Sequence, residues 1–259
     1  LTGGRGMAPE DFLGAVSGPA PQRGVGVVAP FDLAMDRELW RWAPENVTLY
    51  VTRTAFVPVP MTVEMASLIS DEAAVHSATR DLLSPEPEVV AYACASGSFV
   101  DGAAGERNLT TVMREAGAPA AVTTSGALVE ALGVLGVRRV AIATPYVENV
   151  TERLVGFLGE HDVEVVTSVG LGLLGRIWKV DYRQVVDIVR SADRPDAEAM
   201  FISCTNLPTY DIIGPLEQEL GKPVLTANQV TMWAALRTMG LPAVAPQQRL
   251  VGAFDVPAA

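Results

Sequence analysis

Two stretches decide how this chain is read: VVAYACAS at Val89–Ser96 and MFISCTN at Met200–Asn206. Each is an apolar run that ends in a cysteine and passes into small or polar residues. Continuous apolar runs of this kind read as strands buried on both faces. The residues after each cysteine suit a helix N-terminus or an anion-binding turn. The pair forms a weak internal repeat. It sets the only two cysteines of the 259 residues, Cys94 and Cys204, at equivalent points of two similar halves.

Working outward, strands are expected at Gly24–Ala29, Val47–Thr54, Glu88–Cys94, Ala120–Thr123, Arg139–Ala143, Glu164–Ser168, Ala199–Cys204 and Val224–Thr226. Helices are expected over residues 33–42, 62–83, 146–160, 182–191, 211–220 and 229–239. Strands separated by helices imply right-handed parallel crossovers and an α/β fold. Two such lobes facing each other would bring both cysteines to one cleft, because ligands in these sheets lie beyond the carboxyl ends of the strands. The expected organisation is a loose arm over residues 1–22, a first lobe over 23–124 carrying Cys94, and a second lobe over 125–228 carrying Cys204. A C-terminal helix and tail over 229–259 is expected to pack back on the first lobe.

The formal charge of −11 argues against a nucleic-acid partner, which requires a basic footprint. It leaves an anionic small molecule open, since backbone N–H groups can hold one in an acidic protein. With 49% apolar residues a packed core is readily built, and no apolar run is long enough to span a bilayer. The first residues lack a basic start followed by an apolar stretch, so no signal peptide is read and the cytoplasm is the expected compartment. His76 and His161 are isolated and read as surface or capping residues, so no metal site is expected. Gly24-Val25-Gly26 lacks the third glycine of a dinucleotide fingerprint, and Gly170-Leu171-Gly172 reads as a turn. Trp40 and Trp42 read as helix packing. No cofactor is implied, and a homo-oligomer is left open.

The cysteines carry the chemistry that remains. A thiolate is the reactive form of the residue, and free backbone N–H groups ahead of a cysteine lower its pKa. Both cysteines have that context, so acidic thiols are expected. One thiolate and one thiol on opposite faces of a substrate can pass a proton across it, or let one sulfur add while the other protonates. A cysteine that ends an apolar strand also serves as core filler. The residues alone leave both readings open.

The stretch AYACASGSFVDG, Ala91 to Gly102, resembles the first cysteine loop of the maleate cis–trans isomerase and arylmalonate decarboxylase branch of the aspartate/glutamate racemase superfamily. Ser203 to Gly240 resembles the second cysteine loop and the segments after it. ATPYVENV at Ala143–Val150 and VTTSGALVEAL at Val122–Leu132 are similar to further segments of that branch. The resemblance covers residues 24–240. It implies two pseudo-symmetric Rossmann-like lobes with parallel sheets and a small carboxylic acid bound between them. It implies catalytic roles for Cys94 and Cys204, and substrate contacts from Ser96, Tyr146, Thr205 and Asn206. The decarboxylases of the branch keep only the second cysteine, so the presence of Cys94 points to a cofactor-free isomerase or racemase. A cofactor-free decarboxylase of a malonate-like acid using Cys204, and a non-catalytic small-acid binder, are the alternatives.

Two departures stand out. The isomerases carry an asparagine in the loop after the first strand. Here that loop reads Ala29-Pro30-Phe31-Asp32-Leu33-Ala34, with Asp32 the nearest polar residue, and Phe31 and Asp32 are expected near the substrate. A second asparagine is not evident in LLGRIW at Leu173–Trp178, where Arg176 either pairs with a substrate carboxylate or faces solvent. Both changes point away from maleate itself.

Overall fold

The computed structural model describes residues 21–245 and 247–253. Residues 1–20, most of the expected arm, and residues 254–259 lie outside the described residues. The first half runs β1 (Arg23–Ala29), α1 (Asp36–Leu39), β2 (Val47–Arg53), α2 (Val63–Ile69), α3 (Glu72–Asp81), β3 (Val89–Tyr92), α4 (Ala95–Phe99), α5 (Gly102–Glu115) and β4 (Ala121–Thr123). Next come α6 (Thr124–Val134), β5 (Arg139–Thr144), α7 (Glu148–Gly159), β6 (Glu164–Gly170), a short 3₁₀ turn at Ile177–Lys179 and α8 (Tyr182–Ala192). The remaining described elements are β7 (Ala199–Ile202), α9 (Tyr210–Leu220), β8 (Val224–Thr226), α10 (Ala227–Thr238) and α11 (Arg249–Gly252).

The strands form two parallel four-stranded sheets, ordered β2-β1-β3-β4 and β6-β5-β7-β8. The shared order makes the internal repeat a structural one. In each sheet the cysteine-bearing strand is third and has a partner on both sides: Val27 pairs with Ala91 and Tyr92 with Thr123, as Ile142 pairs with Phe201 and Ile202 with Thr226. That position explains the unbroken apolar runs, since every residue of β3 and β7 is buried. The edge strand β6 has no such demand on its outer face and alternates toward solvent.

The helices depart from the sequence-based expectation in instructive places. The single helix expected over residues 62–83 is broken at Ser70-Asp71, where the Asp71 side chain caps α3 by accepting from the Ala74 N–H. The helix expected over 33–42 shrinks to α1, which leaves Trp42 buried in the core and Trp40 at the surface. Helix α7 opens at Glu148, so Tyr146 stays in the preceding turn with its side chain buried. Helices α5 and α6 have no counterpart among the helices expected from the sequence.

Helix α10 is buried throughout most of its length, its polar residues Asn228, Gln229 and Thr231 included. It packs against α6, β3, β4 and α1 as well as β8. Thr124 at the start of α6 and Thr231 in α10 are hydrogen-bonded at 2.8 Å.

Candidate active site

Both cysteines are free, buried and face one small cavity. Cys94 follows β3 in extended geometry (φ −143°) and caps α4, its Sγ accepting from the Gly97 N–H at 3.4 Å. The Ser96 hydroxyl lies 3.8 Å from the same sulfur. Gly97 has no room for a side chain, because a Cβ there would strike the hydroxyl of Tyr92. That hydroxyl is buried and donates to the Ile69 carbonyl. The hydrogen bond to the sulfur therefore depends on a glycine, a dependence visible in the sequence only as the small residues after Cys94.

Cys204 is built differently. Its backbone has φ +94°, a region that L side chains rarely adopt. No helix follows directly; α9 starts only at Tyr210. The Cys204 Sγ accepts from the Asn206 N–H at 3.4 Å and is reached by the buried Tyr146 hydroxyl.

The cavity is lined by the seven residues singled out in the sequence, Asp32, Cys94, Ser96, Tyr146, Cys204, Thr205 and Asn206, together with apolar cover from Met61, Met65, Ile69 and Ile177. Its volume is about 20 Å³, space for roughly one water. A hydrogen bond from the Met61 N–H to the Leu174 carbonyl, 2.9 Å, joins the two covering loops. Arg176 is exposed and lies outside the lining. A larger groove, about 710 Å³, runs between α3 and α5 on the outer surface. It holds His76 and several carboxylates but no thiol, so the chemistry-bearing groups converge on the smaller, narrow site.

Burial reverses the expected acidity of the thiols. Burial pushes Cys94 up to about 11 and Cys204 up to about 12, ahead of the lowering by the Gly97 and Asn206 N–H groups. The Asp32 carboxylate raises both further. Asp32 is itself pushed above the ordinary aspartate range by burial, against a lowering bond from its own N–H. The sequence context correctly supplies the donors but does not show how deeply the sulfurs are buried.

Asn206 also differs from its expected role. Its side-chain amide is occupied within the protein: Oδ1 accepts from the Ala34 N–H at 2.8 Å and Nδ2 donates to the Asp32 carbonyl at 3.1 Å. It clamps the loop after β1 to the Cys204 loop, and its contribution at the cavity is its backbone N–H on the Cys204 sulfur.

A sequence profile described as arylmalonate decarboxylase matches residues 45–251. The chain belongs to the arylmalonate decarboxylase family. It is 39% identical over 156 residues to arylmalonate decarboxylase of Bordetella bronchiseptica, covering 59% of this chain and 65% of that one. It is 31% identical over 168 residues to maleate isomerase of Nocardia farcinica (strain IFM 10152), covering 62% and 67%. The sequence matches thus span about two-thirds of these relatives. The fold similarity runs further. A crystal structure of a double mutant of arylmalonate decarboxylase in liganded form superimposes with a TM-score of 0.81 at 30% identity, over 88% of this chain and 98% of that one.

This arylmalonate decarboxylase family member carries a support that sequence patterns do not reveal. Glu38 of α1 is buried, and its carboxylate accepts from the Thr209 hydroxyl and from the Thr209 and Tyr210 N–H groups at 2.9–3.1 Å and 3.0 Å. These are orphan donors at the start of α9. Burial still holds the Glu38 carboxyl above the ordinary glutamate range, with Thr209 and Asn228 among the groups that lower it. Asn228 in turn donates to the Thr205 carbonyl at 3.1 Å. Glu38 therefore braces the Cys204 loop from the other half of the chain. Only its place among Leu39 and Trp42 hints at burial. Among the described residues, no group of three His, Cys, Asp or Glu side chains could hold a metal ion, and no helix is long and apolar enough to cross a membrane.

Proposed function

We propose that this protein is a cofactor-independent isomerase or racemase of a small carboxylic acid, with Cys94 and Cys204 as the catalytic pair. The observation that carries the reading is the convergence of two thiols, from equivalent strand ends of two matching sheets, on one narrow cavity. Similarity to the maleate isomerase of Nocardia farcinica supports the isomerase class.

A cavity of about 20 Å³ must open to admit a substrate. Opening relieves the burial that holds the thiols high while the Gly97 N–H and Ser96 remain on Cys94. Cys94, whose sulfur caps α4 with the Gly97 N–H and the Ser96 hydroxyl beside it, is the thiolate in this reading. In the cis–trans version its thiolate bonds to one alkene carbon, and the π electrons move onto the adjacent carboxylate as an enediolate. The former double bond rotates, the electrons return, and the thiolate leaves with nothing consumed. In the racemase version one sulfur removes the α-proton while the other delivers a proton on the opposite face. The hydroxyls of Ser96, Thr205 and Tyr146 supply donors to the carboxylate that accumulates charge.

A second reading is a decarboxylase of a malonate-like acid, in which Cys204 protonates the enediolate left by carbon dioxide. The 39% identity to the Bordetella decarboxylase favours it. One experiment separates the readings. Purified protein is incubated in D₂O with a panel of small mono- and dicarboxylic acids and followed by NMR. The proposal expects geometric isomerisation or α-deuteration that is lost in both Cys94→Ala and Cys204→Ala. Carbon dioxide release that survives Cys94→Ala establishes the decarboxylase instead. No turnover of any acid leaves a binding protein.

A further inference from the structure

Among the described residues, Asp32 is the one charged side chain lining the cavity, and no Lys, Arg or His faces it there. Its position is fixed by backbone rather than by its own side chain. The Asp32 carbonyl is held by Asn206, the Ala34 N–H by the same amide, and the Leu33 carbonyl by Arg53 at 2.9 Å. The loop therefore has little freedom to swing the carboxylate away from a ligand. That carboxylate is bonded to its own N–H, which leaves acceptor capacity turned toward the site. A carboxylic acid is intrinsically far more acidic than a thiol, so Asp32 is the group in the site that carries negative charge most readily.

A partly buried carboxylate in a narrow cavity that offers no cation repels a second carboxylate and leaves it unpaired. The same group is well matched to a donor. We infer that Asp32 is a specificity determinant: the substrate group that meets it donates a hydrogen bond, as an amide, ammonium or hydroxyl does, and the substrate carries one carboxylate in the site rather than two. The inference rests on the two-cysteine cavity being the substrate site. It assigns the carboxylate of the substrate to the hydroxyls of Ser96, Thr205 and Tyr146, and its second polar group to the Asp32 end.

The test compares two ligands that differ only at one end, maleate and its monoamide maleamate. Calorimetric titration of the full chain measures binding of each to wild type, Asp32→Asn and Asp32→Glu. Wild type should bind maleamate at least about tenfold more tightly than maleate, by simple affinity arithmetic a modest and measurable gap. Asp32→Asn should narrow or reverse that ratio by a similar factor, and Asp32→Glu should keep its direction. A ratio unchanged by Asp32→Asn, a wild-type preference for maleate, or no binding of either ligand overturns the inference. If Asp32→Asn fails to fold, the wild-type and Asp32→Glu ratios decide. Because the readout is binding, the two readings can fail separately. An intact preference without turnover counts against the isomerase. Turnover of maleate with no preference counts against Asp32 alone.

Discussion

The two cysteine loops sit at the same place in matching sheets, yet they are held in different ways. The Cys94 sulfur is held by its own loop, and that loop is fastened to the start of α6. Its sulfur caps its own helix, takes its donors from Ser96 and Gly97, and is tied onward through Ser98 to Ser125 at 2.6 Å. The Cys204 loop is strained at its cysteine and held from far along the chain, by Glu38 through Thr209, by Asn228 on the Thr205 carbonyl, and by the Asn206 clamp on residues 32–34. Duplicated topology thus preserves where a nucleophile emerges. How the emerging loop is braced is free to diverge, because bracing comes from side chains rather than from strand order.

The largest expected effect tests whether the two sulfurs are partners at all. Cys94→Ala and Cys204→Ala should each lower turnover by about 10²–10⁴-fold, the usual range for loss of a positioned acid or base. Circular dichroism and melting should remain close to wild type. A Cys94→Ala rate near wild type would break the symmetry of the pair in favour of the decarboxylase.

Remote bracing of the second loop should appear as stability. Glu38→Ala orphans the donors at the start of α9 and is expected to cost about 2–4 kcal/mol by denaturant titration. Glu38→Gln keeps an acceptor and should cost less. The sign of its pH dependence is set by burial. The native carboxyl is raised above its unfolded value, so its contribution is fully present below the unfolded pKa and is lost as pH rises through the folded one. Wild type should therefore gain on Glu38→Gln as the solution is acidified. A difference that stays flat with pH would show that Glu38 is not desolvated.

The first loop should be broken by a local change. Gly97→Ala forces a Cβ against the Tyr92 hydroxyl and pulls the N–H from the Cys94 sulfur, with an overpacking cost of about 1–3 kcal/mol. Alkylation of Cys94 in the resting wild type should be slow at neutral pH and rise toward about 11. In Gly97→Ala the rise should move to higher pH unless the cavity is wedged open. Rapid labelling of wild type at neutral pH would show that the resting site is open and the thiol acidic. The smallest expected effect concerns the strained backbone. Cys204→Gly should be more stable than Cys204→Ala by about 1–2 kcal/mol, since only glycine tolerates φ +94° without penalty. Equal melting points would mean the strain is relieved elsewhere.

The legible parts of this protein are those encoded locally. Apolar runs such as Val89–Tyr92 and Ala199–Ile202 announce central strands, and the cysteines at their ends announce the site. Tyr146, Thr205 and Asn206 are found through family resemblance, and all three line the cavity. The hidden parts depend on residues distant in sequence. Nothing around Glu38 shows that its partners are Thr209 and Tyr210. Nothing around Asn206 shows that its amide holds Asp32 and Ala34. The expected acidity of the thiols is reversed for the same reason, since the apolar cover of Met61, Met65 and Ile177 comes from two segments remote in sequence from both cysteines.

The packing of helix α10 onto β3, β4 and α6 has a consequence for how the chain is made. Residues 227–238 leave the ribosome after every strand of both sheets, and until they arrive the first sheet lacks part of its apolar cover. The nascent first half would then wait, incompletely packed, for a helix encoded far downstream. A chain truncated before Ala227 should bind a hydrophobic dye and be readily proteolysed throughout, and the intact protein should melt in one transition rather than two.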